Sequence, residues 1–157
     1  MECERINNLN RSLVNTFIKK HWYTTTMIIR GRVIDMTKTE GFYFSDGENI
    51  IGLITYIVYD NTLEITSLDS LRENQGIGSK LIETVIHEAK ERKVRKIVLI
   101  TTNDNINAIR FYQKRGFDMA HLFRNALDIS RKLKPEIPLI GENSIPLRHE
   151  IEFELSI

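Results

Sequence analysis

Gly76-Ile-Gly-Ser-Lys-Leu-Ile-Glu-Thr-Val-Ile-His-Glu-Ala-Lys-Glu-Arg-Lys-Val-Arg-Lys-Ile-Val-Leu-Ile-Thr101 changes its hydrophobic period part-way along. From Gly76 to Arg92, residues Ile77, Leu81, Ile82, Val85, Ile86 and Ala89 form one apolar stripe at helical spacing, opposite a face dense in Glu and Lys. The run Lys96–Thr101 then has an unbroken apolar interior, the signature of a strand covered on both faces, as parallel strands usually are. A helix that delivers the chain to such a strand predicts a βαβ unit. Upstream, Leu63–Leu68 is the strand that feeds it, with Leu63 and Ile65 alternating. Gly41–Ser45 and Ile50–Tyr59 flank Asp46-Gly47 and predict a hairpin with a tight turn, and Asp60-Asn61 turns the chain again.

Downstream, a second helix is expected from about Asn105 to Arg115, stopped by Gly116, with strands over Phe117–Phe123 and Leu147–Leu155. At the N-terminus, Leu9, Leu13, Val14, Phe17 and Ile18 predict an amphipathic helix to about His21. The stretch from Trp22 to Thr39 has no clear period, and Arg124 to Ser144 reads as a loop around Pro135, Pro138 and Gly141. These elements make an α/β (α+β) chain with a mixed sheet and helices on its faces. No repeat or composition shift divides it, so residues 1–157 read as a single domain.

The 157 residues carry Lys+Arg 22 against Asp+Glu 21, a formal net charge of +1. A protein that grips long polyanions needs a basic excess, so nucleic-acid binding is disfavoured. Ile50–Tyr59 is the longest nearly apolar run, about half of the ~20 residues a membrane helix needs, so no membrane span is expected. The first residues lack the basic and then apolar pattern of a secretory signal, which makes the cytoplasm the default. One cysteine, Cys3, excludes an internal disulfide, and no metal-ligand constellation stands out.

Gln75-Gly76-Ile77-Gly78-Ser79 sits where a loop gives way to a helix. Glycines there let backbone N–H groups approach an anion, and the helix N-terminus adds partial positive charge, so a phosphate or pyrophosphate fits. GxG pairs also serve plain turns, and neither a Walker A loop nor a full GxGxxG is present. Asn105-Ile-Asn-Ala-Ile-Arg-Phe-Tyr-Gln-Lys-Arg-Gly-Phe117 follows about 30 residues on and places Asn105 and Tyr112 two turns apart on one helix face. Read alone, Phe111 and Tyr112 are core aromatics.

Taken as a pair, in this order and at this separation, the two motifs resemble the GNAT superfamily of acyl-CoA-dependent N-acetyltransferases. The likeness runs from about Gly41 to Phe117, and Ile145–Ile151 resembles the final strand of a GNAT subgroup of unassigned substrate. It implies a mainly antiparallel sheet of about 6 to 7 strands with one parallel βαβ pair and helices on both faces. It further implies acetyl-CoA as acyl donor, its pantetheine inserted between the splayed parallel strands and paired with main chain around Ser67 and Leu68. Gln75, Gly76, Ile77, Gly78, Ser79 and Lys80 would then surround the pyrophosphate, and Asn105 would bond the cofactor arm. A backbone N–H near Ser67 or Leu68 would stabilise the oxyanion. One departure stands out: Glu73 occupies the position where the family usually has Arg or Gln, with Arg72 displaced by one.

By the same resemblance Tyr112 is the general acid of an N-acetyltransferase that moves acetyl to a primary amine of a small molecule or protein. Its reference pKa of about 10, against about 8.5 for a thiol, makes full proton transfer uphill by roughly 2 kcal/mol. Glu64 is the candidate base, and it reads equally well as an exposed cross-strand partner. The acceptor is expected against the N-terminal helix and the Trp22–Asp35 segment, and the exposed part of the sheet leaves room for a homodimer. Glu73 motivates an alternative function, a non-catalytic acyl-CoA sensor or interaction module on a GNAT-like fold.

Overall fold

The computed structural model describes residues 2–157. In chain order the elements are β1 (Glu2–Arg5), α1 (Arg11–Trp22), β2 (Thr26–Ile29), β3 (Arg32–Asp35), β4 (Glu40–Ser45), β5 (Ile50–Tyr59) and β6 (Thr62–Ser70). After them come α2 (Ile77–Glu91), β7 (Lys96–Thr102), α3 (Ile106–Lys114), β8 (Asp118–Phe123), α4 (Ala126–Leu133) and β9 (Glu150–Ser156). The main sheet has 7 strands in the order β1-β4-β5-β6-β7-β9-β8, with β2 and β3 paired in a separate hairpin. Neighbours are antiparallel except β6 and β7, which are parallel and joined by α2.

Side-chain alternation divides the core between the two faces of the sheet. Phe42 and Phe44 of β4, with Ile54, Leu63, Ile65 and Ile97, meet Ile77, Leu81, Ile82 and Val85 of α2. Tyr43 and Leu53, of opposite parity, meet Val14, Phe17 and Ile18 of α1. Leu9 and Leu13, expected on the apolar face of α1, are exposed; Leu9 lies before the helix begins.

The feature that positions the site is the parting of β6 from β7. Their pairing runs from Thr62 opposite Lys96 to Ile65 opposite Leu99. There β6 carries a bulge: Tyr56 faces Ile65 and Thr55 faces Ser67, which leaves Thr66 as the extra residue. Thr55 Oγ1 lies 2.7 Å from Thr66 Oγ1 and 2.6 Å from Ser67 Oγ, and these hydroxyl contacts fasten the bulge. Beyond it β6 follows β5, with Leu68 opposite Ile54, while β7 follows β9, with Thr102 opposite Glu150. The two strands thus part with main-chain groups facing the gap between them.

Several local expectations change. The β4–β5 connection is a four-residue turn rather than a tight one: Asp46 N donates to Asn49 O, and the Asp46 carboxylate accepts N–H bonds from Glu48 and Asn49. The aperiodic Trp22–Thr39 stretch holds the β2–β3 hairpin, turned by Arg30 (φ 53°) and Gly31 (φ 69°), both left-handed. The Arg124–Ser144 loop contains α4. The last strand begins at Glu150 rather than Leu147, because Asn103 Oδ1 accepts the N–H groups of Arg148 and His149 instead of a ladder partner.

Candidate active site

Three pieces bear on the site: the helix end that follows β6, the cleft between β6 and β7, and a pocket beside that cleft. The first is the glycine turn. Gly76 is the N-cap of α2 with φ 71°, a left-handed conformation that glycine adopts without strain, and no side chain caps the helix. The first-turn N–H groups of Ile77, Gly78 and Ser79 therefore have no helical partner. A Cβ on Gly76 would meet nothing within 4 Å, so the approach to these donors is open. Gly78 has another use: a Cβ there would lie 3.2 Å from Phe111 Cζ, so its absence lets α3 pack on α2. Beside the turn, Arg115 donates to Ser79 Oγ from Nε (3.1 Å) and Nη2, and stacks 3.5 Å over the Phe111 ring.

The second piece is the cleft itself, a cavity of about 160 Å³ whose walls include Trp22, Ser67, Leu68, Thr101, Asn105 and Tyr112. Asn105 caps α3 through Oδ1, which accepts the Ala108 N–H at 3.1 Å, and this leaves its amide NH2 for the cleft. Tyr112 is buried among Phe111, Phe117 and Phe153. Burial, followed by the charge of Asp69, pushes its pKa well above the ordinary phenol value. Burial also raises Asp69, whose Oδ2 accepts the Trp22 indole N–H at 3.1 Å.

The third piece is a neighbouring pocket of about 330 Å³ between the β2–β3 hairpin and the ends of β7 and β9. Met27, Ile28, Ile29, Ile100 and Ile137 give it apolar walls, and Trp22, Thr66, Ile100, Thr101 and Asn105 line both pocket and cleft. Glu150 faces it at 4% exposure. Its Oε2 accepts the Arg30 N–H at 3.2 Å, while Oε1 has no hydrogen-bond partner among the described residues. A larger hollow, about 490 Å³, lies between α1 and the β4–β5 turn, with walls that include Leu13, Asp46 and Arg72. It shares no residue with the cleft.

The sequence model of the Acetyltransferase (GNAT) family matches residues 8–117. The chain belongs to the GNAT acetyltransferase family. It is 46% identical over 142 residues to the uncharacterized protein YxbD of Bacillus subtilis (strain 168), a span of 90% of this chain and 89% of that protein. Among solved GNAT folds it resembles a Bacillus subtilis acetyltransferase in complex with CoA, with TM-score 0.71, 18% identity and coverage of 99% of this chain and 98% of that one. It also resembles a GNAT family acetyltransferase from Elizabethkingia anophelis with acetyl-CoA bound, with TM-score 0.70, 23% identity and coverage of 99% and 97%.

Within this GNAT fold the residues singled out from sequence fall into two sets. Ser67, Leu68, Asn105 and Tyr112 line one cavity, with the free donors of Gly76–Ser79 at the head of the helix that follows β6. Gln75 and Lys80 are exposed beside that turn, and the buried side chain of Ile77 leaves only its N–H for a ligand. Glu64 stands apart. It is 1% exposed, which removes the solvent-facing alternative to its reading as a base, and both its oxygens are engaged: Arg32 Nη2 donates to Oε2 at 2.7 Å and Tyr59 O–H to Oε1 at 2.5 Å. Arg72 is tied to Asp46 at 2.6 Å, so the cation fixed beside the glycine turn is Arg115.

Two further residues at these places, Glu150 and Arg115, carry no mark in the sequence. Arg115 lies inside the quoted α3 motif, one residue before the stopping glycine, where a helix-end cation draws no notice. Glu150 alternates with Glu152 and Glu154 along β9, and nothing in that pattern marks which of the three is enclosed.

Proposed function

We propose that this GNAT protein is an N-acetyltransferase that moves an acetyl group from acetyl-CoA to a primary amine by direct attack through a tetrahedral intermediate. The observation that carries this is the joining of cleft and pocket: the cavity between the parted edges of β6 and β7 shares Trp22, Thr66, Ile100, Thr101 and Asn105 with a second, largely apolar pocket beside the β2–β3 hairpin.

Acetyl-CoA fits these residues and supplies an activated thioester. The Ile77, Gly78 and Ser79 N–H groups, oriented at a helix N-terminus, hold its pyrophosphate, while Gln75 and Lys80 flank it. Arg115, locked by Ser79 and Phe111, adds positive charge there and offsets exposed Glu73. Main chain of Ser67 and Leu68 pairs with the pantetheine amides, joined by the Asn105 amide. An N–H of this edge stabilises the oxyanion, a contribution of about 3 to 4 kcal/mol where such donors have been removed.

Tyr112 faces the departing sulfur. Its raised pKa keeps the phenol protonated and makes it a weaker acid than a thiol, so it acts by donating a hydrogen bond to the sulfur as charge develops there and keeps its proton. Glu64 we assign to a positioning role: it ties Arg32 of the hairpin to β6 through Oε2, while its Oε1 accepts the Tyr59 O–H. A pocket of only about 330 Å³ favours a small amine over a folded protein as acceptor.

The test combines calorimetry with acetyl-CoA and an amine panel read by release of CoA thiol. Binding plus thiol release that depends on both amine and enzyme is expected. Binding without turnover across the panel would favour a sensor, and absence of binding would end the proposal.

A further inference from the structure

We infer that Glu150, on the last strand, is the group that receives the proton of the acceptor ammonium, and that the pocket it faces selects primary amines carried on an apolar body. This rests on the acetyltransferase proposal above and deepens it by naming the base and the acceptor class.

The geometry starts at the first residue of β9. Glu150 lies opposite Thr102 of β7 on one side and Phe123 of β8 on the other, at the end of the sheet where β7 has already left β6. Its side chain is 4% exposed, held from the hairpin by the Arg30 N–H on Oε2, with Oε1 unpaired among the described residues. A buried carboxylate oxygen without a donor is costly; Oε1 is itself shielded from solvent, so the side chain turns toward the pocket it lines for a cationic N–H group to satisfy that oxygen.

No second carboxylate and no histidine line this pocket among the described residues. The remaining charged lining group is Lys134, after α4. The cations acting on Glu150 from the hairpin are Arg30, whose guanidinium stacks 3.2 Å over Phe123, and Arg32, which is bound to Glu64. Burial outweighs both and raises the Glu150 pKa above the ordinary carboxyl value, which brings it closer to that of an amine. Met27, Ile28, Ile29, Ile100 and Ile137 are the surfaces an aliphatic or aromatic body would cover.

The acceptor ammonium gives one proton to Glu150 Oε1, and its nitrogen keeps the electron pair. That pair forms the C–N bond with the thioester carbonyl carbon, and the C–S bond breaks with its electrons on sulfur. The second amine proton ends on sulfur, with Tyr112 beside it, and the proton on Glu150 passes to water after the amide leaves.

The experiment measures kcat/KM of the wild type and Glu150→Gln between pH 6.5 and 10 with the best amine of the panel, alongside acetyl-CoA affinity and thermal melting of both. For an amine of pKa about 10.4, the variant depends on the small neutral fraction, so we expect a loss of about 10²- to 10³-fold at pH 7 that shrinks roughly tenfold per pH unit. Acetyl-CoA affinity should stay within about threefold, since Glu150 makes no contact assigned to that ligand. If the Gln variant does not fold, Glu150→Ala with added formate replaces it, and a rate that climbs with formate supports the role. A loss equal at every pH, or no loss, overturns the base assignment while wild-type turnover keeps the acetyltransferase proposal standing. A wild type that binds acetyl-CoA yet acetylates no amine overturns both.

Discussion

Tyr112 and Glu64 show how a residue's surroundings decide its chemistry after its type has been read. Three aromatic rings lie around Tyr112, with centroids 5.1 Å (Phe111), 5.6 Å (Phe117) and 6.1 Å (Phe153) away, and they both fix the ring and strip its hydroxyl of water. Tyr112→Phe keeps that packing and removes only the donor, so kcat should fall about 10- to 100-fold with acetyl-CoA affinity unchanged. Because burial raises the phenol, wild-type kcat should show no falling limb assignable to Tyr112 up to pH 10. Single-turnover thiol release across pH reads both. Glu64→Gln loses the anion that holds Arg32, whose side chain is 44% exposed and so partly recovers solvation. The expected cost is about 1 to 2 kcal/mol, a Tm lower by roughly 2 to 8 °C, with less than a threefold change in kcat at saturating amine. A hundredfold drop in kcat would return Glu64 to the role of base.

Among the elements, α2 connects core packing to the ligand end of the molecule. It lies close on the sheet because β5 has no side chain at Gly52: a Cβ there would collide with Ile77 Cγ2 and come within 3.3 Å of Leu81 Cδ1. Gly52→Ala should therefore lift the N-terminal turn of α2, lower stability by about 1 to 3 kcal/mol and weaken acetyl-CoA binding several-fold. Urea unfolding and calorimetry would show the two effects together; lost stability with unaltered affinity would mean that the turn does not move. The α2 stripe and the β7 run were legible in sequence because period reports burial directly. The β2–β3 hairpin was not, since Thr26–Ile29 buries no residue, Arg32–Asp35 buries only Ile34, and one of their two left-handed turn positions is Arg30 rather than glycine. α4 was hidden by its length, with Ile129 and Leu133 exposed and only Ala126, Leu127 and Ser130 buried. In the candidate site, Asn105, Tyr112 and the glycine turn stand out in sequence because a local motif carries them, whereas the surroundings of Glu150 come from elements distant in sequence.

Over the whole molecule, a net charge of +1 conceals two populations of carboxylates with opposite pH behaviour. Glu88, which accepts from Arg5 at 3.1 and 2.6 Å, and Asp46, which accepts backbone N–H bonds from Asn49 and Glu48, have lowered pKa values. Their contribution to stability is present above the unfolded values near 4 and is lost as pH falls through the lowered ones. Asp69 and Glu150 are raised by burial, so their contribution is complete below about pH 4 and is lost as pH rises through the raised values. The second group therefore costs the fold stability at neutral pH, a cost that fits a carboxylate kept enclosed for the sake of a cationic acceptor. Glu150→Gln abolishes that titration. Its melting temperature relative to wild type should be nearly equal at about pH 4 and higher by roughly 1 to 4 °C at pH 7.5, the gap opening between those limits. Melting curves at half-unit intervals would decide it: a gap that narrows as pH rises would mean that the folded protein holds the Glu150 anion more comfortably than water does, and that its burial carries no strain for a substrate to relieve.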